Sequence, residues 1–292
     1  MDPRMVELIE NEIMERELNI TWDDIAGLDF AKKTINEIII WPMLRPDIFK
    51  GIRAPPRGIM FFGPPGTGKT LLGKAIAAQS KSTFLSISAS TITSKWVGEG
   101  EKMVRTMFAI AAINQPSVVF IDEIDSLLSS RNDSENEGSR RIKTEFLIQL
   151  DGANTFAGEE ARILIIGATN RPDDLDEAVR RRLSKRLYIP LPNAPGRKQF
   201  LKRLVENEAN RNPEGESSHL DLDEASIDEL VELTKGHSGS DLKNLSMEAA
   251  MMPLRSIQDI TNIDAAKIRA TNLQDFKDAL ENVKATVVEK DL

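Results

Sequence analysis

Short apolar runs recur along the first two-thirds of the chain: GIMFF (58–62), FLSIS (84–88), SVVFI (117–121), ILIIG (163–167) and RLYIP (186–190). Runs this apolar and this short read as strands buried on both faces. Between them lie KTLLGKAIAAQS, EKMVRTMFAIAAI and RRIKTEFLIQL, apolar at i, i+3, i+4 and i+7 as amphipathic helices require. Alternating strands and helices predict a parallel sheet covered on both faces. The pattern changes at PLPNAPGR (190–197), where three prolines and a glycine mark a boundary. Beyond it only helices are predicted, over 196–209, 226–235, 240–252 and 272–284. Start signals stand at Ser226 with Glu229, Ser238 with Asp241 and Asn272 with Asp275. The expected organisation is a linker or helix over 1–20, an α/β region over 21–190 and a small all-helical region over 191–292. NRNPEGESSHLD and RNDSENEGSRR (131–141) read as polar loops.

The joins between these elements carry the chemistry. GPPGTGKT (63–70) satisfies G-x-x-x-x-G-K-[ST], follows a strand and opens a helix, the context of a phosphate-binding loop. Its small residues let backbone N–H groups wrap phosphates at a helix N-terminus. Lys69 is expected at the β- and γ-phosphates and the Thr70 hydroxyl on Mg²⁺. The strand SVVFI delivers Asp122 and Glu123 at its C-terminal edge, where ligands sit in such sheets. Asp122 suits the Mg²⁺ shell, and Glu123 suits a general base that polarises water. Asp125, Asp133, Glu135 and Glu137 read as surface or helix-capping charges. In IIGATNRPDD, Asn170 is either a side-chain amide at the γ-phosphate or an ordinary turn residue. The guanine-reading pattern N-K-x-D is absent, which favours adenine. Arg180–Arg182 precede a strand, either as phosphate-reaching arginines lent to a neighbour or as a basic helix end. Trp96, set between Lys95 and the flexible Gly98 and Gly100, lies in or beside a connection where a large apolar ring needs a reason. It is either a projecting grip or part of a local core.

Composition narrows the partners. The 292 residues include 40% hydrophobic and 29% charged residues, enough apolar material for a sizeable core. The net charge of −8 argues against broad adhesion to nucleic acid or anionic membrane, and no direct nucleic-acid contact is expected. The chain has no cysteine, so disulfide and thiolate chemistry are excluded. No apolar run approaches the roughly 18 residues of a membrane span, and the start of the chain lacks a signal-peptide core. A soluble, intracellular protein is expected.

Taken together, GPPGTGKT, FIDEIDSL, GATNRP, RRRLSKRLYIPLP and GHSGSDL resemble the AAA ATPases of the meiotic clade, which includes katanin, spastin and fidgetin. EIIIWPMLRPDIF, TSKWVGEGEK and SRRIKTEFLIQLDGA bring the chain closest to the fidgetin-like members, from about Thr21 onward. The resemblance implies an AAA+ P-loop ATPase with a parallel-sheet large subdomain followed by a small all-helical lid subdomain. It implies that Ala26 and Gly27, with Gly239 and Ser240, line the adenine pocket. Gly66, Thr67, Gly68, Lys69, Thr70 and Leu71 would hold the phosphates of ATP, with Thr70 and Asp122 on Mg²⁺. Asn170 would be the sensor and Glu123 the catalytic base. Arg181 and Arg182 would enter a neighbour's site in a homo-hexamer. Lys95, Trp96 and Val97 would form a first pore loop on a polypeptide substrate, and Arg140 and Arg141 would add positive charge to a second. The implied work is ATP-driven remodelling, with microtubule severing and a nucleotide-gated scaffold as alternatives. Tubulin tails or recombination and chromatin proteins are the implied substrates, in the nucleus or cytoplasm, in mitosis or DNA repair. Two departures stand out. Met252, Pro253, Leu254 and Arg255 replace a Gly-Pro-Ile-Arg pattern. The chain also stops at VEKDL, where relatives continue into a helix, so a fragment is expected.

Overall fold

Each long apolar run forms a strand, and these strands lie in one sheet. The structure, a computed structural model, describes residues 2–15, 18–95, 99–129, 137–152, 155–156, 159–160, 162–211, 220–255, 257 and 268–287. In chain order the strands of the first part are β1 (Met14–Glu15), β2 (Gly58–Phe62), β3 (Thr83–Ser88), β4 (Ser117–Asp122), a small hairpin of β5 (Thr155–Phe156) and β6 (Glu159–Glu160), β7 (Ile163–Thr169) and β8 (Lys185–Tyr188). The main sheet runs β1-β3-β4-β7-β2-β8. All of its pairs are parallel except β1 with β3, where Met14 faces Leu85 and Glu15 faces Phe84. The sheet is therefore mixed, not wholly parallel. Residues 1–20, read as linker or helix, hold helix α1 (Pro3–Leu8) and then this edge strand. Two strand residues carry no period, so the pattern could not announce them.

Every residue of β7 is buried, as its position between β4 and β2 requires. Before β2 come α2 (Asp29–Ile35), a π-helical stretch over Asn36–Ile40, and α3 (Trp41–Leu44). After β2, helix α4 (Lys69–Gln79) crosses to β3 and lays Leu72, Ala75 and Ile76 into the core. A short helix that the pattern did not predict, α5 (Ala89–Lys95), follows β3 directly. Its sequence ASTITSK is rich in β-branched and hydroxyl residues, which favour other backbone states unless packing overrides them. The remaining helices are α6 (Gly100–Ile113), α7 (Asp125–Leu128), α8 (Glu137–Gly152) and α9 (Glu177–Arg182). Helix α8 begins inside the stretch read as a loop over 131–141; residues 131–136, with Asp133 and Glu135, lie outside the described residues. Phe108 of α6 meets Phe146 of α8 edge-on at 5.8 Å, which joins these two helices.

The chain divides into two compact units: Met1–Asp24, Asp29–Gly63 and Lys69–Ile189 make the first, and Ile25–Leu28, Pro64–Gly68 and Pro190–Leu292 the second. The second contains α10 (Ala194–Arg211), β9 (Leu220–Asp221), α11 (Glu224–Leu233), α12 (Gly239–Arg255), β10 (Thr271–Asn272) and α13 (Leu273–Asn282) around Leu201, Leu230, Leu245, Ala249 and Phe276. It is not all-helical, because β9 and β10 pair in parallel over two residues each. Two of the three start signals hold. Ser238 and Asp241 cap each other's backbone N–H groups at 3.2 and 2.8 Å, and Asn272 with Asp275 forms a full capping box. The third shifts: the cap of α11 is Asp223, whose carboxylate accepts from the Ser226 N–H at 2.8 Å. A carboxylate at a helix N-terminus is favoured by the local field, so the aspartate one turn earlier wins over Ser226.

Gly73 of α4 lies flat against Phe120 of β4; a Cβ there would approach Phe120 Cδ2 to 2.6 Å. Gly73→Ala should cost about 1–3 kcal/mol by overpacking. Gly138→Ala in α8, where a Cβ meets open space, should raise stability by up to about 1 kcal/mol. Urea unfolding of the two variants, which should move in opposite directions, checks the packing.

Candidate active site

Strands β2, β4 and β7 run the same way, so their C-terminal residues reach one edge of the sheet. The register pairs Phe62 with Thr169 and Ile121 with Gly167. Gly63, Asp122 and Asn170 therefore leave the sheet as neighbours. In the first unit Lys69 is 8% exposed, and its Nζ donates back to the Gly63 carbonyl at 2.9 Å. Burial pushes its pKa down to about 8 against the opposing pull of Asp122 and Asp125. Thr70 Oγ1 donates to Asp122 Oδ2 at 3.0 Å, which sets two oxygen donors side by side. A hydroxyl and one carboxylate suit Mg²⁺, which binds through few protein oxygens and keeps places for water and phosphate.

Glu123 sits just past β4 with φ of 50°, a left-handed backbone that a glutamate adopts at a cost. Its N–H donates to Asp122 Oδ1 at 3.0 Å. Its carboxylate accepts from Ser88 Oγ at 3.1 Å and Ser90 Oγ at 2.9 Å, and the two hydroxyls are themselves 2.6 Å apart. The reading of the sequence missed these serines, although SISAS straddles a strand end on the neighbouring strand. Asp125 is not merely a surface or capping charge: it accepts from Thr169 Oγ1 at 2.5 Å. Thr169 Oγ1 in turn accepts from the Arg171 N–H at 2.9 Å, which shapes the turn that holds the exposed Asn170.

The arginines in the last turn of α9 are not equivalent. Arg181 is 77% exposed and among the described residues reaches only Glu177, one turn back, at 2.6 Å. Arg182 binds both oxygens of Asp151, at 2.8 and 2.6 Å, and the Ala178 carbonyl at 3.1 Å. The bond from Arg182 holds the Asp151 carboxyl below the usual carboxylate range.

In the second unit Gly66 and Gly68 have φ of 72° and 89°. The Gly66 carbonyl accepts from the Ser240 N–H at 3.1 Å, and a Cβ on Gly66 would strike Ser238 Oγ. Thr67 Oγ1 donates to the Pro64 carbonyl at 3.0 Å. Gly27, with φ of 65°, donates its N–H to Gln199 Oε1 at 2.7 Å. Ala26–Gly27, Gly66–Gly68 and Gly239–Ser240 thus belong to one compact unit although they are far apart in sequence. His237, beside Ser238, is 6% exposed and neither ring nitrogen has a hydrogen-bond partner. The sequence reading passed over it, though it is one of two histidines in the chain. Leu71 is exposed in the first turn of α4. Lys95 ends α5; Trp96 and Val97 lie outside the described residues. Arg140 and Arg141 are exposed in α8, with Arg141 2.6 Å from Glu137.

A model of the ATPase family associated with various cellular activities (AAA) matches residues 59–191, and one of the AAA+ lid domain matches residues 224–270. The chain belongs to the AAA ATPase family and is of its fidgetin-like type. Fidgetin-like protein 1 of Xenopus laevis is 57% identical over 294 residues, a match covering 100% of this chain and 43% of that protein. The human protein of the same name is 56% identical, covering 100% and 42%. Among solved structures, the FIGL-1 AAA domain in complex with ADP matches with a TM-score of 0.89 at 50% identity, over 100% of this chain and 94% of that one. A katanin structure solved to explain its self-assembly matches with a TM-score of 0.81 at 35% identity, over 100% and 94%. This chain spans less than half the length of the curated relatives named here.

The position of Lys69 yields a proton count. Phosphate beside the ammonium favours its charged form, so ADP binding should return the pKa toward 10 or above, and protons should be taken up wherever the free side chain is partly neutral. With a free pKa of about 8, uptake should rise from about a quarter of a proton at pH 7.5 to about three quarters at pH 8.5. Calorimetry with ADP and a chelator, in buffers of different ionisation enthalpy, measures this; uptake that stays flat across that range would count against a depressed Lys69.

Proposed function

We propose that the chain hydrolyses ATP as the motor domain of a ring of identical copies that pulls on a polypeptide. The observation that carries this reading is the Thr70–Asp122 oxygen pair with Glu123 beside it, at the edge where the phosphate loop leaves β2. In this reading the N–H groups of Gly66, Thr67 and Gly68 and the ammonium of Lys69 take the phosphates, and the start of α4, with Leu71, adds a favourable field. Ala26, Gly27, Gly239 and Ser240 take the adenine end, and His237 offers a further partner there. Thr70 and Asp122 would hold Mg²⁺, whose charge offsets that of the phosphates. Glu123 orients the attacking water and accepts its proton, and Asn170 holds the transferring phosphoryl group through its amide.

Arg181 is the better finger for a neighbour's site. Its exposed pair with Glu177 costs little to break, whereas Arg182 is held by Asp151 and steadies the segment. Assembly is supported by the likeness to a self-assembling katanin. In the ring, Lys95, Trp96 and Val97 grip the substrate, with Arg140 and Arg141 behind them. Lys95 favours acidic segments. The whole protein's substrates are then recombination or chromatin proteins handled in the nucleus, in repair or mitosis. A second reading, severing of microtubules through tubulin tails, is favoured by the likeness to katanin.

Glu123→Gln should bind ATP as the parent does and hydrolyse it at least about a hundredfold more slowly, because the amide cannot accept the proton. A single-turnover assay reads this, and it also separates a motor from a nucleotide-gated scaffold, which would show slow turnover before the substitution. Arg181→Ala should leave ADP affinity intact and lower assembled activity by on the order of 10³-fold. Parent activity per molecule should rise with protein concentration; a constant value with no larger species by sedimentation would exclude action in trans.

The grip is tested separately. Trp96→Ala should retain ATP turnover and melting temperature while substrate processing fails, and Trp96→Tyr should keep much of that processing. A structural tryptophan would behave otherwise, with a loss of roughly 3–5 kcal/mol that takes every activity with it.

A further inference from the structure

At the end of the sheet opposite Gly63 and Asn170 lies a cavity of about 640 Å³, formed wholly within the first unit. Its base is Ile39, Pro42, Ile163 and Leu164, all buried. The half-buried Ile38, Met43, Phe49 and Pro56 form its walls. Four prolines, Pro42, Pro46, Pro55 and Pro56, line it, so the walls are fixed before anything enters. Its volume falls within the roughly 300–1,000 Å³ of small-molecule sites, which pair apolar walls with a few convergent polar groups.

The charged groups here are mostly cationic. Lys50, Arg57 and Arg162 stand exposed at the rim, and among the described residues of the lining Asp47 is the sole carboxylate. Asp47 is already held by Arg45 through bonds of 2.8 and 2.7 Å. Among the described residues Arg57 donates only to the Asp151 carbonyl, at 3.4 Å; its charge also acts on the Asp151 carboxylate, whose hydrogen bonds are taken by Arg182. Among the described residues neither Arg57 nor Arg162 forms an ion pair. An apolar hole rimmed by uncommitted cations, on a chain of net charge −8, is complementary to a molecule with an apolar body and one anionic head.

We propose that this cavity is a binding site for a small amphipathic carboxylic acid, its chain against Ile39, Met43 and Leu164 and its carboxylate at Arg57 and Arg162. The site is separate from the nucleotide's. It lies at the starting ends of β2 and β7, whose far ends carry Gly63 and Asn170, roughly 20–25 Å away along the strands. A ligand there would bear on the same two strands that position the phosphate loop and the Asn170 turn.

Octanoate, octanol and octylammonium share one chain length and differ in the head, so they serve as probes. In methyl-resolved NMR of the full chain, octanoate should shift Ile39, Met43 and Leu164 saturably, while octanol and octylammonium bind on the order of tenfold more weakly. Arg57→Glu with Arg162→Glu, both at exposed positions, should weaken octanoate by a similar factor. Ala54→Trp, which fills the exposed wall, should remove binding at an unchanged melting temperature. The proposal fails if millimolar octanoate leaves these methyls unmoved, if octanol binds as well as octanoate, or if the doubly reversed rim still binds octanoate as the parent does.

Discussion

The ladder joining β4, β7 and β2 is the constraint on which the rest of the first unit depends. Parallel strands can share one ladder only if they run the same way, and their hydrogen bonds hold the relative height of each strand to within a residue. Phe62 opposite Thr169 and Ile121 opposite Gly167 therefore fix where Gly63, Asp122 and Asn170 emerge. A slip of one residue would turn every side chain of the buried β7 to the wrong face. The precision of the site is the precision of the ladder, and the apolar side chains on both faces keep water out of it.

Much of this was legible because the chain repeats its signals. The apolar runs predicted the five long strands, and their boundaries moved by no more than a residue or two. The tight turn between β2 and α4 was legible from spacing, since closely spaced glycines supply the positive φ that Gly66 and Gly68 take there. Reciprocal caps at Ser238–Asp241 and Asn272–Asp275 were legible because both partners lie within one turn.

What remained hidden depends on partners distant in sequence or on segments too short to show a period. β1, β9 and β10 have two residues each and exist only because another strand accepts them. Ser88 and Ser90 reach Glu123 across a strand pair, a relation that no local pattern encodes. The three arginines of α9 looked alike until the fold brought Asp151 to one of them. Gln199 finds Gly27 across 172 positions. Helix α5 formed against its own composition, which shows tertiary packing outweighing intrinsic preference.

The antiparallel pair at the sheet margin has a practical consequence. β3 sits second from the edge only because Met14 and Glu15 cover part of it, with Met5, Ile9 and Ile13 anchoring that segment in the core. Glu15 is further fixed by Lys74, whose Nζ lies 2.8 Å from both carboxylate oxygens. A version of this domain trimmed to begin at β2 would bare the outer rim of β3, a row of unpaired N–H and C=O groups flanked by Phe84 and Leu85. Such a rim is a template for sticking to other chains. The opening residues therefore protect solubility, and preparations that discard them as a dispensable tail should aggregate.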